Sequence, residues 1–290
     1  MVRAVRLTES GLQFEQIDTP EPGAGDALVR VRAAAITKGE LAWPVDRLPA
    51  TPSYEFSGKV AALGPDANGV AVDDEVYALA DFGRDGAAAD FAVVAAALLV
   101  PKPRSLDHVA SAAIPLAALS AWQGLFDHGS LEAGQRVLIL GATGGVGHFA
   151  TQLARHRGAH VIAAASDADA AKALGAHEVV DARRERIEDA VEPVDLVFDT
   201  VGGELLERAP AVVRARGRLV SLATEPAPPG VYFVVEPNRE QLEKITRLVD
   251  DGELRPEIDS VYPLEEARVA FERSLAPGKR GKVVLRVSDQ

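Results

Sequence analysis

Hydrophobic residues follow a strand-like spacing through the first part of this chain of 290 residues. Apolar positions alternate with polar ones, or run together over the length of a strand, and turn residues separate the segments. The pattern predicts strands at residues 2–7, 27–34, 58–63, 75–79 and 89–94. Few helical periods occur there, so we predict a β-rich domain of barrel or sandwich type over residues 1–115.

The spacing changes after Ser105, where apolar residues begin to recur every three or four positions. Helices are predicted at residues 106–113 and 115–128. Strands then alternate with helices, and the strands are predicted at residues 137–140, 160–165, 178–181, 195–199 and 218–223. This alternation predicts an α/β fold with a parallel, doubly wound sheet, which we assign to residues 116–250.

The last part of the chain changes character once more. The pattern predicts an apolar strand at residues 231–235, an amphipathic helix at 239–250, a short strand at 258–262, a helix at 265–275 and a strand at 282–287. The final two elements resemble the first domain more than the parallel sheet. We therefore predict that residues 251–290 return to complete the first domain.

A glycine-rich turn lies between the strand at residues 137–140 and the helix that follows. Its sequence is Ala142-Thr143-Gly144-Gly145-Val146-Gly147. Glycines allow the backbone to approach a pyrophosphate, and the start of a helix offers unpaired N–H groups and a positive dipole end. A tight turn without a ligand is the alternative. The strand before the turn and the helix after it favour dinucleotide binding by these six residues.

Composition narrows the possible partners. The net charge of −12 argues against nucleic acid or an anionic membrane, because both require a basic surface. The absence of cysteine excludes disulfides, thiolate zinc sites and a cysteine nucleophile. The first residues lack the apolar core of a signal peptide, and the longest apolar run, at residues 92–100, is far shorter than a membrane helix. We expect a soluble, cytoplasmic protein.

Motifs along nearly the entire chain resemble those of the medium-chain dehydrogenase/reductase superfamily, in the same order. They are the glycine-rich turn and residues 20–23, 26–34, 52–58, 70–77, 113–122, 174–181, 199–203 and 280–284. In detail the chain resembles the zinc-free quinone oxidoreductase branch, which is similar to zeta-crystallin. The resemblance implies a GroES-like β-rich domain joined to a Rossmann domain. It also implies hydride transfer from NADPH to a quinone or an α,β-unsaturated carbonyl compound.

Two positions depart from the zinc-dependent relatives, in which a cysteine and a Gly-His-Glu motif hold the catalytic metal. Thr37 and Tyr54 stand where metal ligands would be, and Glu55 follows Tyr54. The resemblance therefore implies catalysis without a metal. Thr37 keeps a hydroxyl that can donate a hydrogen bond, and Tyr54 is our first candidate to line the substrate pocket and donate one. A purely structural role in packing is the alternative for Tyr54, and we give the two roles equal weight.

Three neighbouring side chains complete this expectation. Without a metal, we expect Glu55 only to pair with a nearby arginine. Two roles are open for Trp43 and Phe82, which are to form walls of the substrate pocket or simply to pack against their neighbours. We favour ordinary packing.

The end of the second strand of the parallel sheet bears on the choice of cofactor. NAD-preferring folds usually carry an acidic residue there, whereas this strand ends at Ala165 and Ser166 follows. A small neutral residue and a hydroxyl suit the 2′-phosphate of NADPH, although Asp167 leaves NADH open. Lys172 and Arg183 are the nearest basic candidates for that phosphate, and a solvent-exposed role is the alternative for Lys172.

Loops at the carboxyl ends of parallel strands face the ligand crevice. We therefore expect Val201 and Gly202, with Gly203 beside them, to lie near the nicotinamide ribose. Ser221 is a weaker candidate of the same kind. Because the glycine-rich turn lies in mid-chain, the substrate is expected in a cleft between the two domains.

Three functions remain open at this stage. The first is an NADPH-dependent reductase of small-molecule quinones or enones. The second is an enoyl reductase that tailors a polyketide-like product, and the third is an NADP-binding sensor or scaffold without catalytic activity. The apolar strand at residues 231–235 leads us to expect a homodimer, formed by antiparallel pairing of this strand as in relatives.

Overall fold

Strands dominate the first hundred residues of the chain, and helices alternate with strands after them. The computed structural model describes residues 1–44 and 47–288. The strands are β1 (Val2–Thr8), β2 (Gly11–Ile17), β3 (Asp26–Ile36), β4 (Glu55–Leu63), β5 (Glu75–Leu79), β6 (Phe91–Ala95), β7 (Val100–Pro101), β8 (Arg136–Leu140), β9 (His160–Ala164), β10 (Glu178–Val180), β11 (Val194–Asp199), β12 (Val213–Ser221), β13 (Val231–Tyr232), β14 (Ile258–Pro263) and β15 (Lys282–Arg286).

The α-helices are α1 (His108–Ala112), α2 (Pro115–Trp122), α3 (Gly147–His156), α4 (Ala168–Ala173), α5 (Ile187–Ala190), α6 (Gly203–Arg208), α7 (Arg239–Asp250) and α8 (Ala267–Leu275). Short 3-10 helices lie at Glu40–Ala42, Ala96–Leu98, Ala209–Val212 and Leu264–Glu266, and π-helical turns at Gln123–His128. Within the part of the chain that the structure describes, no helix is long and apolar enough to cross a membrane.

The chain forms two compact units. The first comprises residues 1–116, 237–252 and 256–290, and the second comprises residues 117–236 and 253–255. From the sequence we place the boundary of the parallel-sheet domain at residue 250, so the structure differs by grouping α7 with the first unit. The reason is a buried contact, since the Tyr77 hydroxyl on β5 lies 2.8 Å from the Thr246 hydroxyl on α7.

A mixed sheet of seven strands is the centre of the first unit. Its order is β14-β15-β3-β4-β5-β7, and β6 pairs with β3 beside this path. The late strand β15 pairs antiparallel with β3, with Val283 opposite Ile36. Because β4 is also antiparallel to β3, the start of β15, the end of β3 and the start of β4 lie at one end of the sheet. This end carries the polar cluster described below.

A parallel sheet of six strands is the centre of the second unit. Its order is β10-β9-β8-β11-β12-β13. The inner strand β8 is fully buried from Val137 to Leu140, as expected for a parallel strand covered on both faces. The β-rich unit and this parallel sheet confirm the fold class predicted from the sequence.

Besides the two-residue strand β7, which was not predicted, three elements differ from the predicted pattern. β2 was not predicted, because four of its seven residues are exposed and it pairs only with β1 in a separate two-stranded sheet. The helix predicted at residues 115–128 changes to π-helical turns after Trp122, where Gly124 lets the backbone approach the ring of Phe198. The strand predicted at residues 231–235 keeps sheet pairing over only two residues.

Candidate functional site

The glycine-rich turn connects β8 to α3 in the second unit. Gly141 adopts a φ of 80°, which reverses the chain directly after the strand. A Cβ atom on Gly147 would lie 2.0 Å from the Gly141 carbonyl oxygen, so only glycine permits α3 to begin this close to the strand. Ala142 and Gly147 are buried, whereas residues 143–146 are half-buried and open to a ligand.

A second turn lies beside the first at the same edge of the sheet. Thr200 donates a hydrogen bond from its hydroxyl to the Leu140 carbonyl oxygen over 2.7 Å. A Cβ atom on Gly141 would meet Val201 Cγ2 at 2.6 Å. The structure therefore brings Val201 and Gly202 next to the glycine-rich turn, as the positions of the two strand ends suggest.

Asp199 shapes this second turn and was not singled out from the sequence as a site residue. Its buried carboxylate accepts hydrogen bonds from the backbone N–H groups of Val201 and Gly202, both over 3.0 Å. It also accepts one from the Ser221 hydroxyl over 2.7 Å. Ser221 is fully buried and its hydroxyl hydrogen-bonds to Asp199, so the structure gives it a turn-forming role. The signal in the sequence was an acidic residue ending an apolar strand.

The predicted 2′-phosphate residues lie on three segments, after β9, after β10 and in α4. Ser166 is exposed directly after β9, and Arg183 follows the adjacent strand β10 with its guanidinium beside Asp181 at 3.2 Å. Lys172 is exposed in the last turn of α4. Asp167 caps α4 by accepting a hydrogen bond from Ala170 N over 2.9 Å, which occupies one of its carboxylate oxygens.

A buried polar cluster forms at one end of the sheet of the first unit. Lys282 Nζ lies 2.5 Å from Glu55 Oε1, and these side chains are 3% and 0% exposed. Glu55 Oε2 accepts a hydrogen bond from Leu116 N over 2.9 Å. The partner of Glu55 is thus a lysine rather than the arginine expected from the sequence, and this expectation was wrong. Lys282 was missed because it is far from Glu55 along the chain.

Thr37 joins the ion pair. Its hydroxyl oxygen accepts a hydrogen bond from Lys282 Nζ over 3.2 Å and donates to Glu55 Oε1 over 3.4 Å. An ammonium group can only donate hydrogen bonds and a carboxylate can only accept them. The Thr37 hydroxyl therefore accepts from Lys282 and donates to Glu55. The geometry therefore ties the Thr37 proton to Glu55.

Glu40 lies beside this ion pair and is itself buried. Its carboxyl group accepts hydrogen bonds from Thr37 N over 3.0 Å and from Ser53 N over 3.1 Å. Ser53 has a φ of 67°, an uncommon conformation for a residue with a side chain, and the bond to Glu40 helps to hold it. Burial raises the pKa of Glu40 to about 8, and the negative charge of Glu55 acts in the same direction.

This raised pKa predicts a dependence of folding stability on pH. The folded chain keeps a proton on Glu40 that the unfolded chain loses above pH 4.5, so this contribution is complete at low pH and is lost as the pH rises to about 8. The expected loss is about 1.4 kcal/mol per pH unit. Glu40→Gln is expected to remove this slope in urea unfolding followed from about pH 5 to pH 8. The exposed control Glu9→Gln should retain it, and an unchanged slope in Glu40→Gln would contradict the assignment.

Tyr54 lies next to the cluster and is 6% exposed. Its ring stacks on Trp43 with centroids 6.1 Å apart and meets the edge of Phe82 at 5.1 Å. Burial raises the pKa of Tyr54, with the charges of Glu40 and Asp85 contributing, so the hydroxyl stays protonated and able to donate. Among residues 1–44 and 47–288, no hydrogen bond involves the Tyr54 hydroxyl.

The donor set of Thr37, Tyr54 and Glu55 does not suit zinc. Thr37 and Tyr54 offer neutral hydroxyls, and the Lys282 ammonium already neutralises Glu55. Zinc sites in proteins use thiolate, imidazole and unpaired carboxylate ligands. Across the described ranges, no group of three or more His, Cys, Asp or Glu side chains is arranged to hold a metal ion.

Comparison with known proteins identifies relatives along the whole chain. A family model described as the alcohol dehydrogenase GroES-like domain matches residues 23–104, and one described as zinc-binding dehydrogenase matches residues 174–285. A probable zinc-binding oxidoreductase, mitochondrial, of Arthroderma benhamiae is 33% identical over 98% of the chain and 95% of that protein. An NADPH-dependent alkenal/one oxidoreductase, chloroplastic, of Arabidopsis thaliana is 32% identical over 93% of the chain and 74% of that protein.

Two further similarities bear on function. The structure of a quinone oxidoreductase from Coxiella burnetii has a TM-score of 0.93 and 29% identity, and the match covers 99% of both chains. The spectinabilin polyketide synthase system protein NorB of Streptomyces orinoci is 35% identical over 80% of the chain, which corresponds to only 12% of that protein.

Proposed function

Because the chain belongs to the medium-chain dehydrogenase/reductase superfamily, an oxidoreductase family, we propose that it is an NADPH-dependent, zinc-independent reductase of quinones or α,β-unsaturated carbonyl compounds. The observation that carries the proposal is the turn at residues 141–147, which only glycine allows to close. The names of the Arabidopsis and Coxiella proteins support the substrate class.

The residues of the second unit fit a dinucleotide. Residues 143–146 are half-buried at the start of the ten-residue helix α3, where the positive end of the helix dipole favours a pyrophosphate. Ser166 and Arg183 lie at the carboxyl ends of adjacent strands and would hold the 2′-phosphate of NADPH. When bound, the nicotinamide supplies the hydride.

The first unit supplies the hydrogen-bond donor. Negative charge develops on the carbonyl oxygen of the acceptor as the hydride arrives, and a positioned donor stabilises it. The Thr37 proton is directed to Glu55, so we assign the donor role to Tyr54 and a supporting role to Thr37. The contacts of the Tyr54 ring with Trp43 and Phe82 position this side chain.

The proposal is tested by mixing the protein with NADPH and a panel of quinones and enones, and following the absorbance of the reduced nicotinamide. Turnover with these acceptors is expected, with NADPH preferred over NADH in a parallel titration. Turnover confined to enoyl thioesters would instead support the enoyl reductase function, which the similarity to NorB favours. Tight NADPH binding without turnover would support the sensor or scaffold function.

Replacement of Tyr54 by phenylalanine tests the donor role. Removing one oxyanion donor costs about 100-fold in kcat, so Tyr54→Phe is expected to lower kcat by about that factor. The KM for NADPH should stay unchanged, because the nucleotide residues are in the second unit. Tyr262→Phe on β14 is the matched control. A Tyr54→Phe variant with unchanged kcat would show that Tyr54 only packs.

We also propose that the protein is a homodimer, paired through the edge strand β13. Among the residues that the structure describes, this strand has a neighbour on one side only, and Val231 and Tyr232 are 41% and 46% exposed. Analytical ultracentrifugation at micromolar concentration is expected to give twice the chain mass of 30.6 kDa. Val231→Lys should shift the protein to a monomer, because a charge on an edge strand opposes pairing. A monomeric wild-type protein would refute the proposed homodimer.

A cytoplasmic location remains a prediction from the sequence.

A further inference from the structure

His148 is a polar residue in the first turn of α3, directly after the glycine-rich turn. It is fully buried, and its Nδ1 lies 2.9 Å from the Gly144 carbonyl oxygen. A carbonyl oxygen can only accept, so Nδ1 carries the proton of this hydrogen bond. The backbone N–H of His148 donates to the same oxygen over 3.1 Å. One residue thus holds the Gly144 carbonyl through two hydrogen bonds.

The two bonds from His148 also set the direction of the next N–H group. In a planar trans peptide, the carbonyl and the N–H point in opposite directions. Because the Gly144 carbonyl points along α3 toward His148, the Gly145 N–H points out beyond the start of the helix. Gly145 is half-buried, and within the described part of the sequence its N–H has no acceptor. An N–H group directed outward from the positive end of a helix is suited to an anion.

The imidazole adds a bond that the helix itself does not require. The bond from His148 N is the ordinary helical one, whereas the bond from Nδ1 uses the second lone pair of the Gly144 oxygen. An apolar side chain would fill this buried position without a polar group to satisfy. Gln152, one turn later, donates to the His148 carbonyl oxygen over 2.9 Å and to the Arg255 carbonyl oxygen over 3.0 Å. His148 is therefore held firmly in the second unit.

We propose that His148 is a positioning residue for the nucleotide pyrophosphate. Its imidazole holds the Gly144–Gly145 peptide in the orientation that presents the Gly145 N–H to a phosphate oxygen. This inference rests on the proposed function, since it requires a dinucleotide at the glycine-rich turn. His148 is buried and acts through the backbone rather than by touching the ligand. Loss of the imidazole is therefore expected to weaken the contacts of the pyrophosphate and to spare those of the adenosine.

The test compares NADP⁺ with adenosine 2′-phosphate, which shares the adenine and the 2′-phosphate but has no pyrophosphate. Isothermal titration measures both dissociation constants in the wild-type protein, His148→Leu and His148→Asn. His148→Leu is expected to weaken NADP⁺ binding by about tenfold, the value of one hydrogen bond to a charged group. The binding of adenosine 2′-phosphate should stay unchanged. Asparagine carries its amide nitrogen on Cγ, where histidine carries Nδ1, so His148→Asn should recover most of the affinity.

Gln123→Met is the matched control. It removes a buried side-chain hydrogen bond to the Glu236 carbonyl oxygen, of 2.8 Å, in the same unit, and should leave both dissociation constants unchanged. Urea unfolding shows whether each variant is folded. If His148→Leu is not, His148→Gln takes its place, because its amide nitrogen lies one bond farther from the backbone and cannot replace Nδ1.

Two results would overturn the inference. One is an equal loss of affinity for both ligands in the folded His148 variant, which a merely structural role would produce. The other is unchanged binding of NADP⁺ in that variant.

Binding separates this inference from the proposed function, because it is measured without an acceptor. Binding of NADP⁺ that depends on His148, in a protein without turnover on any quinone or enone, supports the inference and contradicts the proposed function. If the protein prefers NADH, the same comparison is made with NAD⁺ and adenosine. A protein that binds neither dinucleotide would overturn the inference.

Discussion

Replacement of Lys282 by methionine is expected to destabilise the protein by about 3–5 kcal/mol, because it leaves the Glu55 carboxylate buried without its partner. The ion pair has a separation of 2.5 Å, and neither side chain is more than 3% exposed. Urea unfolding at neutral pH measures the loss. Methionine is close to lysine in length, so cavity formation contributes little, and it removes the charge together with the hydrogen bond to Thr37.

The double variant Glu55→Gln/Lys282→Met is the decisive control. Replacing both partners of a buried pair by neutral groups of similar shape removes the uncompensated charge, so this variant is expected to be more stable than Lys282→Met alone. The Glu55→Gln single variant should be less stable than the wild-type protein, because it leaves the Lys282 ammonium group without its carboxylate partner. If the stability lost in the double variant equals the sum of the losses in the two single variants, Glu55 and Lys282 are not energetically coupled. Our interpretation of the cluster would then be wrong.

Replacement of Gly147 by alanine is expected to lower the affinity for NADPH by about 100-fold, equivalent to about 2.7 kcal/mol. The added methyl group would lie 2.0 Å from the Gly141 carbonyl oxygen and 2.9 Å from Ala142 Cα, and backbone atoms cannot rotate away as a side chain does. The turn must open, which also costs about 1–3 kcal/mol of stability. Fluorescence titration with NADPH and urea unfolding measure the two effects.

Gly23→Ala provides the matched control for this variant. A Cβ atom there meets only Asp26 Oδ2 at 3.4 Å, an ordinary contact, so binding and stability are expected to stay close to those of the wild-type protein. Unchanged NADPH affinity in Gly147→Ala, in a variant that is demonstrably folded, would show that the turn is not the nucleotide site.

Local features of the chain could be predicted from the sequence. The glycine-rich turn depends on residues within one short stretch, and the strand before it and the helix after it have clear periods. The position of Val201 and Gly202 follows from the rule that parallel strands end at one edge. None of these predictions required knowing which strands far apart in the chain pair with each other.

The polar cluster of the first unit could not be predicted in the same way, because its members meet through the sheet. Thr37 and Lys282 are 245 residues apart in the chain and come together only through the pairing of β15 with β3. A lysine before the apolar run Val283-Val284-Leu285 was a weak signal of a buried charge. The role of Glu40 gave no signal, since an acidic residue in a polar loop is usually exposed.

The pairing of β15 with β3 also has a consequence for the order of events during synthesis. Residues 117–236 of the second unit leave the ribosome before the strand that completes the sheet of the first unit. Domains generally fold as units as they emerge. The second unit can therefore fold while β3 still lacks its neighbouring strand β15. Until residue 282 is made, Glu55 has no ammonium partner, and the site assembles last although most of its residues are translated first.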